Sequence, residues 1–174
     1  MSLLERKSKK GSDNFQTPDW PVEQLIKFLE ENSPIWNKNL WIWEPACGLK
    51  ENIVNCFKNN GYSAFGSDIS NDLDFLKDKA THQYDVIITN PPYSIKDQFL
   101  KRCYEKKVPF ALLLPITAFE GQKRQAMYKE YGAQFLIPNK RINFETPSGT
   151  GAGAWFATMW VTWGFGLEKD VYFL

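Results

Sequence analysis

The sequence predicts a doubly wound α/β fold on a mostly parallel sheet of about seven strands. Short apolar runs alternate with stretches of helical period along most of the 174 residues. Two of those runs, Trp41 to Glu44 and Asp85 to Thr89, lead directly into tight turns built on glycine or proline. A third, Tyr62 to Asp68, ends in a carboxylate. Open α/β sheets bind their ligands at the carboxyl ends of strands, where these turns and acids fall.

The elements follow in order. Residues 1–13 are polar and lysine-rich and read as a mobile basic tail, leaving 14–174 as a single domain. Pro21 to Glu31 is a helix with Val22, Leu25, Ile26 and Leu29 on one face. Thr17 reads as its N-cap and Pro18 as its first helical residue. The strand from Trp41 runs into Glu44-Pro45-Ala46-Cys47-Gly48, and Ile53, Val54 and Phe57 then give helical spacing. Strand, glycine turn and helix together make a nucleotide site in such folds. Asp68 stands where an acid can accept hydrogen bonds from both hydroxyls of a ribose. Little room remains between Asp68 and Asp85, so the usual third strand is expected to be short or missing. Past the strand at Asp85 come a helix from about Ser94 to Lys106 and a strand from Val108 to Leu114. Glu120 to Tyr131 is a helix ended by Gly132, and Ala133 to Ile137 is a strand. The glycine-rich segment from Thr146 to Gly153 is expected to be too flexible to pack well unliganded. Trp155 to Trp163 is a long apolar strand.

Asn90-Pro91-Pro92-Tyr93, directly after the Asp85–Thr89 strand, carries the chemistry. Two successive prolines remove two backbone donors and fix φ at both positions. The residue before each proline is pushed out of the α region. The resulting stiff turn offers an amide side chain, carbonyl oxygens and an aromatic face. Such a set suits an amino group held by acceptors only, and the exocyclic N6 of adenine is one.

Taken in order, these segments resemble the adenine-N6 DNA methyltransferases that use S-adenosylmethionine. Phe15-Gln16-Thr17-Pro18 resembles that family's motif X, Glu44 to Gly48 motif I, Gly66-Ser67-Asp68 motif II and Asp74-Phe75-Leu76 motif III. Asn90 to Tyr93 matches its catalytic motif IV, and Asp97 to Leu100 and Ala111 to Pro115 fit the helix and strand that follow. Arg141-Ile142-Asn143-Phe144 and the strand after it look like the ending of small phage-type members. The resemblance implies a Rossmann-like methyltransferase fold with an antiparallel last strand and no large target-recognition domain. It implies S-adenosylmethionine as cofactor, with Phe15, Thr17, Glu44, Ala46, Gly48, Asp68, Asp74 and Phe75 in its site. It further implies that Asn90 and the Pro91 carbonyl hold the target nitrogen, that Pro92 stiffens the turn and that Tyr93 stacks on the base. DNA is the implied substrate, with Lys140, Arg141, Ser148 and Gly149 expected to touch it. The family often carries a second glycine two residues after Gly48, and this chain has Lys50 there. A side chain at that place is expected to narrow the approach to the methionine end of the cofactor.

Composition sets bounds. Net charge is +1, so no strong global field draws in nucleic acid, although Lys9-Lys10, Lys101-Arg102, Lys106-Lys107, Lys123-Arg124 and Lys140-Arg141 are local basic pairs. Three cysteines without paired spacing point to buried thiols in a reducing cytoplasm. The single histidine, His82, completes no metal set, and no membrane-length apolar run is present. Methylation of RNA adenine or of protein glutamine stays open beside DNA, because an Asn-Pro-Pro-Tyr turn also serves amide nitrogens. A non-catalytic module binding cofactor or nucleic acid is the other reading, suggested by Lys50 and the small size.

Overall fold

The computed structural model describes residues 15–146, 149–150 and 156–174; the expected tail over 1–13 lies outside them. The chain runs α1 (Asp19–Asn32), β1 (Trp41–Glu44), α2 (Asn52–Asn59), β2 (Ser63–Gly66), β3 (Val86–Thr89), α3 (Lys96–Lys106), β4 (Phe110–Pro115), α4 (Gln122–Tyr131) and β5 (Gln134–Ile137). A short hairpin of β6 (Glu145–Thr146) and β7 (Gly149–Thr150) follows, then β8 (Thr158–Trp163) and β9 (Val171–Phe173). The main sheet has seven strands in the order β2-β1-β3-β4-β8-β5-β9. β2, β1, β3 and β4 are parallel, β8 runs antiparallel to both β4 and β5, and β9 is parallel to β5.

Two cores cover the two sheet faces, and the pleat assigns residues to them alternately. Ile42, Val86, Ile88, Ala111, Leu113 and Trp160 face the side covered by α1 and α2, where Val22, Leu25, Leu29, Val54 and Phe57 pack. Trp43, Ile87, Phe110, Leu112, Leu114, Met159 and Val161 face α3, which contributes Phe99, Leu100 and Cys103, with Tyr128 of α4 packed against that core. Strands buried on both faces read as unbroken apolar runs, and β3 and β4 are buried throughout. Cys47, Cys56 and Cys103 are buried and unbridged.

The structure departs from the sequence reading in two places, the start of α1 and the edge of the sheet. Helix α1 starts at Asp19, with Pro18 in the cap position and no side-chain cap bond, so Thr17 is not its N-cap. Between Asp68 and Asp85, as expected, no third strand forms among the described residues: the Asp68 side chain caps a 3-10 turn over Ile69–Asn71. β8 is antiparallel, as expected, but β9 follows it on the sheet edge and brings the strand number to seven. Only three residues long, and with Phe173 84% exposed, β9 carries too weak an apolar signal to be read from sequence.

Leu113 lies at the middle of β4, fully buried against α1 and α2. Leu113→Ala should cost about 2–5 kcal/mol, the range for a large-to-small change that leaves a cavity. Urea unfolding followed by tryptophan fluorescence measures it, and a loss below about 1 kcal/mol would mean the centre of the sheet is loosely packed.

Candidate active site

From β1 the chain passes through α2 to β2 on one side, then returns across β1 to β3 on the other. The strand order therefore reverses between β1 and β3, the crevice where doubly wound sheets bind ligands. A pocket opens there, at the carboxyl ends of these two strands. Glu44, Ala46, Cys47 and Asn90 line it from the strand ends, Phe15, Gln16 and Thr17 from the segment before α1, and Asn52 and Ile53 from the start of α2.

The turn after β1 is held from β2. The Gly48 amide donates to Asp68 Oδ2 at 3.0 Å, while Asp68 Oδ1 accepts from the Ser70 amide at 2.8 Å and its hydroxyl at 2.7 Å. Main-chain bonds from Cys47 to the Ser67 carbonyl and from Ser67 to the Glu44 carbonyl complete the join. Gly48 has φ +65°, and a Cβ there would lie 2.3 Å from Gln16 Nε2. A Cβ at Gly66 would come within 2.7 Å of Cys47, so the end of β2 needs a glycine to approach the turn.

Glu44 is buried at 2% exposure. The Thr89 hydroxyl donates to its Oε1 at 3.0 Å, and its Oε2 has no hydrogen-bond partner among the described residues. Burial pushes this carboxyl up to about 8, against the opposing pull of the bonds from Thr89 and the Asn90 amide. Asn90 is oriented by its NH2 group, which donates to Thr17 Oγ1 at 3.2 Å and makes a longer contact of 3.5 Å to the Phe15 carbonyl. Because that carbonyl can only accept, the amide nitrogen must point toward it. The Asn90 Oδ1 is left buried with no partner among the described residues. Pro92 is extended (φ −56°, ψ 121°) and leads into a 3-10 turn over Tyr93–Ile95. The Tyr93 ring meets Phe156 edge-on, with centroids 5.5 Å apart.

The fold thus gathers Phe15, Thr17, Glu44, Ala46 and Asn90 around one pocket, with Gly48 and Asp68 forming its turn. Asp74 and Phe75 do not line it. Asp74 Oδ1 accepts from the Leu76 amide at 3.1 Å, and Phe75 packs between Trp43 and Phe99. Lys140 lies over the Trp20 ring with Nζ 4.5 Å from the centroid, and Arg141 beside it is exposed. Gly149 pairs with Thr146 in the β6–β7 hairpin, whereas Ser148 and most of the glycine-rich segment lie outside the described residues. Lys50 is not among the residues that line the pocket; its ammonium pairs with Glu145 Oε2 at 2.8 Å. Of the other basic pairs, Arg102 bonds Glu105 and Arg124 bonds Asp97.

Sequence reasoning missed Gln16, Asn52 and Thr89. Asn52 Nδ2 donates to the Thr17 carbonyl at 3.1 Å, and Thr89 supports Glu44. The one available signal was Thr89 itself, a hydroxyl in an otherwise apolar strand. Among the described residues no group of His, Cys, Asp and Glu could hold a metal, and no helix is long and apolar enough to cross a membrane.

The model of the Eco57I restriction-modification methylase family matches residues 5–133. No curated protein matches the chain. Among solved structures, the methyltransferase subunit of a type I restriction-modification system from Streptococcus thermophilus is similar at 14% identity and TM-score 0.61, over 91% of this chain and 47% of that one. A modification subunit of a putative type I restriction enzyme from Vibrio vulnificus gives 15% and 0.58, over 98% and 49%. A putative class I S-adenosylmethionine-dependent methyltransferase from Listeria monocytogenes gives 16% and 0.60, over 91% and 65%. At such identities the likeness shows the fold alone. The chain spans about half the length of the two type I subunits.

Glu44 makes stability depend on pH. Its folded carboxyl titrates at about 8, against 4.5 ordinarily. Between those values the folded state holds the proton and the unfolded state does not. The stabilisation is complete below about 4.5 and is lost as pH rises through about 8. Urea unfolding from about pH 5 to about pH 9 should show the wild type losing stability relative to Glu44→Gln as pH rises. A difference independent of pH would mean that the carboxyl is not held neutral.

Proposed function

Since the chain belongs to the Eco57I restriction-modification methylase family, we propose that it transfers a methyl group from S-adenosylmethionine to the exocyclic N6 of adenine in DNA. The observation that carries this reading is the Asn90 Oδ1, buried at the switch-point pocket with its amide nitrogen engaged and its oxygen without a partner among the described residues. An acceptor so fixed, beside a turn whose prolines offer no N–H, favours an amino group.

Adenine N6 is a weak nucleophile because its lone pair is delocalised into the ring. As the new bond forms, the nitrogen turns tetrahedral and more positive. The Asn90 oxygen and the Pro91 carbonyl then accept stronger bonds from its two hydrogens, which favours the transition state over the ground state. Tyr93 stacks on a base drawn out of the duplex, an extrusion that costs a few kcal/mol. S-adenosylmethionine supplies a methyl already made electrophilic by its sulfonium.

The pocket residues fit that cofactor. Gly48 keeps the turn free of a side chain, Asp68 offers carboxylate oxygens at the end of β2, and the unpartnered Glu44 Oε2 offers an acceptor to a cationic group. Thr17, Phe15 and Ala46 supply the facing wall. Phe75, packed on Trp43 of β1, and Asp74 beside it in sequence are proposed to support the adenine end of the cofactor. Lys140, Arg141, Ser148 and Gly149 are the proposed contacts to the substrate backbone.

Incubation with methyl-labelled cofactor and separate pools of DNA, RNA and protein tests the reading. Label is expected in adenine of DNA; label in RNA or in protein glutamine alone would replace it. Asn90→Ala should lower single-turnover methylation on the order of 10²-fold or more while the protein stays folded. Tyr93→Phe should keep most activity, and Tyr93→Ala should lose roughly 1–3 kcal/mol of stacking. Three variants that track melting temperature alone would reduce the motif to a structural turn.

Cofactor binding should also move a proton. A carboxyl titrating at about 8 is mostly protonated at neutral pH, and a cation beside it draws it into the ionised form. Calorimetry in buffers of different ionisation enthalpy should report release of up to about one proton per cofactor bound. Glu44→Gln should abolish the buffer dependence, and a wild type with none would separate Glu44 from the cofactor's charge.

A further inference from the structure

We propose that Lys50 and Glu145 form an ionic latch that ties the segment after the glycine turn to the β6–β7 hairpin beside the pocket, and that Glu145 is a positioning residue for the cofactor site. The second half rests on the cofactor assignment above. The first half stands on geometry alone.

Three contacts converge on Glu145. Its carboxylate takes the Lys50 ammonium at 2.8 Å. Its main chain makes an isolated antiparallel bridge with Gln16, through a Glu145 amide bond to the Gln16 carbonyl at 3.0 Å and the reverse bond at 2.9 Å. It also opens the β6–β7 hairpin. Gln16 in turn lies against Gly48, at a spacing that leaves no room for a Cβ. One residue therefore joins the glycine turn on one wall of the pocket to the segment before α1 on the other.

Lys50 is in a poor place for any other purpose. It immediately precedes the cap residue of α2, where the positive end of the helix dipole disfavours a cation. Its main-chain carbonyl is held by the Asn55 side chain at 3.0 Å, so the residue is anchored to α2 while its ammonium reaches to the hairpin. A glycine there would leave the turn free to move. The lysine ties it to Glu145.

The side chains at the latch are 61% and 36% exposed, so the effect is modest and screened by salt. The test uses the full chain with Lys50→Glu, Glu145→Lys and the double exchange, because the main-chain bridge survives all three. Hydrogen exchange of the Gln16, Gly48 and Glu145 amides reads the latch without any cofactor. Calorimetry with S-adenosylmethionine reads the positioning role. Each single variant should speed exchange at those three amides about threefold and weaken cofactor binding roughly two- to fivefold. The exchange of Ile87 and Leu112 should stay unchanged. The double exchange should recover both readings, and high salt should move the wild type toward the single variants. Single variants that exchange like the wild type, or a double exchange that fails to recover, would overturn the latch. Faster exchange with unchanged cofactor affinity would overturn the positioning role. A wild type that binds no S-adenosylmethionine would overturn both the cofactor assignment and the positioning role, while the exchange arm still decides the latch.

Discussion

The carboxylate of Asp68, buried at the end of β2, accepts the amide of Gly48 and so holds the turn that leaves β1. Most of the pocket follows from that bond. It fixes Gly48 in a left-handed conformation, which lets the Gln16 side chain settle on it, and Gln16 brings along Phe15 and Thr17. Those two residues orient the Asn90 amide from the opposite side. A hydrogen bond from a backbone amide to a buried carboxylate is among the stronger kinds. The acid at a strand end thus braces the turn before it does anything for a ligand.

Against this braced turn stand two atoms with no hydrogen-bond partner among the described residues, Glu44 Oε2 and Asn90 Oδ1. A buried polar atom without a partner costs free energy that folding must find elsewhere. Here the cores on both sheet faces supply it. Glu44 ends β1 and Asn90 directly follows β3, its neighbour in the sheet, so both atoms fall where the strand order reverses.

Much of this was legible because it rests on periodicity. Strands buried on both faces announce themselves as apolar runs, and β1, β3 and β4 were read nearly to the residue. The positions of Glu44, Asp68 and Asn90 beside the pocket were legible because each stands at or just past the carboxyl end of a strand. What stayed hidden depends on pairing across the chain. Thr17 looked like a cap because it precedes Pro-Asp, yet its hydroxyl is taken by Asn90, far away in sequence. Asn52 and Gln16 carry no local mark of their contacts. Lys50 looked like an obstruction because sequence shows that a side chain is present but not which way it leaves the turn. β9 was missed because an exposed edge strand lacks the apolar density that reveals the others.

The bridge between Gln16 and Glu145 has a consequence for the timing of folding. Its partners are 129 residues apart (145 − 16), so the pocket wall and its counterpart leave the ribosome far apart in time. At about 5–20 residues per second, the early segment waits roughly 6–26 s for Glu145 to be made. During that interval β1, α2, β2 and β3 can form one half of the sheet with one side of the crevice still open. Closure of the pocket is then a late event of synthesis, and a nascent chain halted before the hairpin would carry most of the sheet but no closed site.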